Sequence, residues 1–97
     1  MNTRRRLEEI AGPLSLGSLL EAHRLGEEWT LKEMAEKLKI SAQNLSDIEK
    51  GRKGVSPERA AKFAKALGLS KEQFVRLALQ GLVDEAGLKM KVKIEAA

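Results

Sequence analysis

The chain has no cysteine, no tyrosine, a single histidine and only two prolines among its 97 residues. Without thiols, a disulfide framework and a thiolate metal site are both excluded. The absence suits a reducing compartment, and a cytoplasmic location is expected. Aromatics are confined to Trp29, Phe63 and Phe74, so the core has to be aliphatic. No apolar run approaches the ~20 residues needed to span a bilayer. The arginines near the N-terminus are not followed by the apolar segment of a secretory signal, so neither a membrane nor export is expected. His23, the one histidine, has no identifiable serine or aspartate partner for catalysis. No Cys/His cluster suggests a metal, and no glycine-rich loop after a strand suggests a nucleotide. An enzyme is therefore not expected, nor is a catalytic residue, a cofactor or a small-molecule substrate.

What the chain does contain is a 42% apolar fraction and a formal net charge of +4. The first favours a globular fold over disorder, and the length fits one domain. The second raises the odds of a polyanionic partner, because cations near phosphates release condensed counterions.

Organisation follows from periodicity and caps. Residues 1–14 lack clear periodicity and carry Arg4, Arg5 and Arg6 before Gly12-Pro13, which reads as a flexible basic arm. A first helix is expected from Ser15 or Leu16, with Leu16, Leu19, Leu20, Ala22 and Leu25 as its apolar stripe and Gly26 as its stop. Thr30-Leu31-Lys32-Glu33 is a capping box for a second helix, which carries Leu31, Met34, Ala35 and Leu38. Ser41 can cap a third, held down by Leu45 and Ile48 and ended before Gly51. Ser56-Pro57 opens a fourth, with Ala60, Phe63, Ala64 and Leu67 inward and Gly68 as its end. Ser70-Lys71-Glu72-Gln73 is a further capping box, opening a fifth helix whose stripe is Phe74, Leu77, Ala78 and Leu82, with Gly87 as terminus. In residues 88–97 the period changes: Leu88, Met90, Val92 and Ile94 alternate with charged residues, which predicts a strand.

The second and third helices, from Thr30 to Lys53, have the form of a helix-turn-helix. A short outward-facing helix of this kind fits a major groove about 12 Å wide. Ala35 is small where the helices cross, and Ile40 plugs the core from the turn. Ala42, Gln43, Asn44, Ser46 and Asp47 then fall on or near the exposed side. Gln and Asn suit that side, since each can pair with adenine N6 and N7. A solvated helix face is the alternative for both, and simple exposure is the alternative for Asp47.

The stretch Trp29-Thr30-Leu31-Lys32-Glu33-Met34-Ala35-Glu36-Lys37-Leu38-Lys39-Ile40-Ser41, continued by Asn44-Leu45-Ser46-Asp47-Ile48-Glu49-Lys50-Gly51-Arg52, resembles the Cro/CI-type (XRE) helix-turn-helix family. The likeness runs from about Leu16 to Leu69, and the Leu-Ser-x-Ile-Glu-x-Gly-Arg run is its most specific part. The resemblance implies an all-α, five-helix, lambda-repressor-like DNA-binding domain over residues 15–87, here with a short C-terminal β-strand. It implies base-reading positions at Ala42, Gln43, Ser46 and Asp47. It places Thr30, Lys32, Ser41, Asn44, Lys50, Arg52 and Lys53 near the DNA backbone, and it makes Arg24 and Glu49 a structural ion pair. Members usually bind a double-stranded operator as two-fold dimers, so a homodimer is expected. The chain departs from the family pattern at Leu31, where glutamine is usual, and at Lys39, where glycine is common. A positive φ at Lys39 would cost about 1 kcal/mol. Asp47 would repel phosphate unless it accepts from a cytosine N4 amine.

Two segments stay open. Arg4, Arg5 and Arg6 form either a minor-groove arm or a solvated one. The terminal strand, with Met90, Val92 and Ile94, pairs with a second subunit, adds to a sheet edge of another protein, or frays. The function expected is that of a sequence-specific transcriptional regulator, a repressor acting by promoter occupancy. The alternative, also suggested by the resemblance, is a HigA-like antitoxin that neutralises a toxin protein and represses its own operon.

Overall fold

A computed structural model describes residues 14–95. The arm's arginines at 4–6 lie outside the described residues. Five helices follow one another: α1 Leu16–Gly26, α2 Leu31–Leu38, α3 Ala42–Glu49, α4 Pro57–Leu67 and α5 Lys71–Glu85. Among the described residues there is no strand, and no helix is long and apolar enough to cross a membrane.

Each helix starts where a hydroxyl accepts the backbone N–H three residues on. The acceptors are Ser15, Thr30, Ser41, Ser56 and Ser70. An uncapped start would leave backbone donors without partners, so these side chains set the register of all five helices. Thr30 and Glu33 form the expected reciprocal box, the Thr30 amide donating to Glu33 Oε1 at 3.0 Å and the Glu33 amide to Thr30 Oγ1 at 3.1 Å. Ser15 and Ser18 form a second box that the acidic-residue rule does not anticipate. At Ser70 only half of the expected box exists: its hydroxyl accepts from the Gln73 amide at 3.1 Å, and the Gln73 side chain makes no return bond.

The core joins Leu16 and Leu20 of α1, Met34, Ala35 and Leu38 of α2, and Leu45 and Ile48 of α3. Ala60, Phe63 and Ala64 of α4 and Phe74, Leu77 and Ala78 of α5 complete it, with Val55 from the loop before α4. Trp29, Leu31 and Ile40 pack against its edge. Helices α4 and α5 form the most extensive pair; α3 rests on α1 and α2.

Two expectations need correction. The inward faces of α1 and α5 are shorter than their apolar stripes: Ala22 and Leu25 are exposed, as is Leu82. Burial needs an opposing element as well as helical spacing, and these side chains have none covering them. Helix α1 does stop at Gly26 as expected, and the left-handed residue comes two positions later, at Glu28. Residues 88–95 form no strand, since no backbone ladder reaches them among the described residues. Instead the side chain of Gln80 holds the segment, its Nε2 donating to the Met90 carbonyl at 2.7 Å while its Oε1 accepts from the Val92 amide at 2.8 Å.

Candidate nucleic-acid interface

Helix α3 is fixed at both ends. At its start the Ser41 hydroxyl accepts from the Asn44 amide at 3.0 Å. The approach from α2 turns through Lys39, whose φ of 58° and ψ of 42° are left-handed. This is the conformation expected there, and it is one in which a Cβ is crowded. Ile40 then enters the edge of the core. At the other end, α1 comes so close that a Cβ on Gly17 would collide with the carbonyl oxygen of Ile48. Beside that crossing the Arg24 guanidinium grips Glu49, Nε to Oε2 at 2.9 Å and Nη2 to Oε1 at 3.0 Å. Arg24 also donates to the Trp29 carbonyl at 3.2 Å. The Glu49 side chain is only 3% exposed, so the pair sits in a weakly screening environment. The Glu49 hydrogen bond chiefly holds the Arg24 guanidinium in its charged form, above its ordinary range. The pair that the resemblance implies is thus formed, and it is largely shielded from solvent.

The outer side of α3 carries the predicted base-reading positions. Ala42 and Gln43 are exposed and Ser46 is half-buried. Asp47 differs from the expected open carboxylate: its side chain is 14% exposed. Oδ1 accepts from Gln43 Nε2 at 3.2 Å and lies 3.5 Å from Arg52 Nη1, with Oδ2 3.7 Å from Lys53 Nζ. The Asp47 main-chain carbonyl also accepts from the amides of Arg52 and Lys53, at 2.8 and 3.3 Å. Lys53 Nζ in turn donates to Asn44 Oδ1 at 2.9 Å. The structure thus joins Gln43, Asn44, Asp47, Arg52 and Lys53 into one network across α3 and the following loop.

The other predicted backbone contacts lie to either side. Thr30 and Lys32 are at the exposed start of α2. Lys50 and Arg52 are exposed beyond the end of α3. His23 stands edge-on to Trp29, ring centroids 5.5 Å apart, and Lys37 covers that ring at 4.6 Å, so the one histidine has a packing role. Of the tail residues, Met90 and Ile94 are exposed and Val92 is half-buried.

Sequence reading missed one residue that shapes this site, Gly17, and one contact within it, that of Gln43 with Asp47. Gly17 had a legible signal, since glycine inside an apolar helical stripe is destabilising unless a neighbour needs the space. Asp47 stands four residues after Gln43, a spacing at which amide and carboxylate meet on a helix.

The family described as "helix-turn-helix domain" matches residues 15–77. The chain belongs to this helix-turn-helix family. Two solved structures of the clp gene regulator ClgR from Corynebacterium glutamicum are similar to it. One is 37% identical, covering 72% of this chain and 95% of that one, with a TM-score of 0.57. The other is 36% identical, covering 77% and 83%, with a TM-score of 0.56. No curated protein matches at a significant level. This helix-turn-helix protein is a DNA-binding transcriptional regulator of the Cro/CI type. The antitoxin alternative gains no support, since both solved relatives are described as gene regulators.

Proposed function

We propose that α3 enters the major groove of an operator and that the protein represses transcription by occupying a promoter as a two-fold dimer. The observation that carries this reading is the disposition of charge and amide groups around α3. Gln43 is exposed at its start, while Arg52 and Lys53 are tied to its last turns through the Asp47 carbonyl. An amide can read a base edge while flanking cations take phosphates on either side. On this reading Ala42, Gln43 and Ser46 face bases. Thr30, Lys32, Ser41, Asn44, Lys50, Arg52 and Lys53 lie along the backbone.

Binding to the DNA upstream of the protein's own gene, beside a scrambled duplex over a salt series, tests the proposal. Tighter binding to the natural sequence, with a steep negative salt slope on both duplexes, is expected. Equal, weak binding to both would reject it.

For the dimer, exposed Leu82, Leu88, Met90 and Ile94 supply apolar surface at the end of α5 and along the tail. Gln80 occupies the edge of the tail that carries the Met90 carbonyl and Val92 amide. Residues 91 and 93 then offer their backbone groups on the opposite edge, where a second copy can pair. Removing residues 88–97 is expected to shift a dimer to a monomer in sedimentation equilibrium; an unchanged mass would eliminate the tail as the seam.

A further inference from the structure

We infer that Asp47 is a positioning residue, which fixes the orientation of the Gln43 amide and so decides which base edge α3 reads. The inference rests on the proposed DNA-facing role of Gln43.

A glutamine amide carries two N–H donors at one end and an acceptor at the other, and rotation by half a turn exchanges them. An ionised carboxylate only accepts. With Asp47 Oδ1 3.2 Å from Gln43 Nε2, one rotamer is favoured and its opposite would set two oxygens against each other. Gln43 is thereby left with Oε1, which has no hydrogen-bond partner among the described residues, and with its second N–H. An acceptor beside a donor is the complement of adenine, whose N6 amine donates and whose N7 accepts. The flipped amide would present the same two groups in reversed order, its donor against the N6 amine and its acceptor against N7.

The carboxylate itself is poorly placed to meet a base. It is 14% exposed, engaged by Gln43 and flanked by Arg52 and Lys53. These two cations offset a charge that would otherwise repel nearby phosphates. Lys53 also bonds to Asn44 Oδ1 at 2.9 Å. That bond orients the Asn44 amide by the same logic with the roles reversed, because an ammonium only donates. One ionic cluster thus sets two amides on the groove face.

The test is selection of bound sites from a randomised duplex pool by the full chain and by Gln43→Ala, Asp47→Asn and the double variant. Folding of each is checked by its circular dichroism melt. Asparagine keeps the shape of Asp47 but can donate or accept, so the Gln43 amide is free to turn. Asp47→Asn is expected to lower the preference for adenine at one position by roughly tenfold, within the range of a lost bidentate contact. Binding to unselected duplex should be equal or tighter. The double variant should discriminate no worse than Gln43→Ala alone. Full discrimination by Asp47→Asn, or a second position relaxed in the double variant, would overturn the inference, the latter marking Asp47 as an independent base reader. If Gln43→Ala itself leaves every position unchanged, the failure lies in the assignment of Gln43 to the interface, and the inference falls with it.

Discussion

Arg24 closes a two-point fork on Glu49, 25 residues further along the chain, and in doing so ties α1 to the end of α3. Both oxygens of a nearly inaccessible carboxylate are engaged. Removing the guanidinium would strand that charge away from water.

Arg24→Ala is accordingly expected to lower unfolding free energy by about 3 kcal/mol, toward the lower end for breaking a buried pair. Denaturant titration measures it. Arg24→Lys should recover only part of the loss, since an ammonium cannot reproduce the fork.

Gly17→Ala should destabilise by about 1–3 kcal/mol, because a methyl group there meets the Ile48 carbonyl and α1 has to move. A thermal melt reads the cost. The same shift should weaken DNA binding beyond what the stability loss explains, since α1 supports the C-terminal end of α3.

At the turn the sign reverses. Lys39 holds a φ of 58°, so Lys39→Gly is expected to stabilise the fold by about 1 kcal/mol. A lower denaturation midpoint would show that the lysine side chain contributes more than its backbone strain costs.

Glu33 gives a pH dependence. Its carboxyl is held below the ordinary glutamate range, first by the Thr30 backbone amide and then by the Thr30 hydroxyl. A depressed folded-state value means that the box stabilises α2 above the ordinary glutamate range and is lost as pH falls through the lower folded value. Stability measured between about pH 5 and pH 3 should therefore drop less in Glu33→Gln than in the wild type.

Two variants separate reading from attraction. Gln43→Ala should cost about 1–3 kcal/mol on the preferred site and relax one base pair. Lys53→Ala should weaken binding to all duplexes alike and reduce the salt slope by about one. Identical behaviour of the two would contradict the division of roles.

The helix starts were legible because each rests on a short local signal. Thr30 with Glu33, Ser41, and Ser56 before Pro57 all cap where expected, and the apolar spacing of Met34, Ala35, Leu38, Leu45 and Ile48 marks the core faces of the helix-turn-helix. Leu25 and Leu82 were misleading because spacing reports which face a residue occupies, not whether anything packs there. Val55, a loop residue with no periodicity to reveal it, is buried. In the site, the Arg24–Glu49 pair followed from family likeness. The Gln43–Asp47 link is a contact four residues apart within α3, whereas the links to Arg52 and Lys53 depend on how the loop after α3 folds back, which no local pattern states. The tail misled for the same reason: its alternation is genuine, but alternation describes two faces and says nothing about a neighbour.

That tail has one more consequence. A segment with apolar residues at every second position and open backbone groups is a template on which like segments stack. Gln80 places one donor and one acceptor against it, as a single peptide group of a neighbouring strand would. Half of the template is thereby blocked by one side chain of the same molecule. Gln80 leaves only the edge of residues 91 and 93 for another chain to stack on.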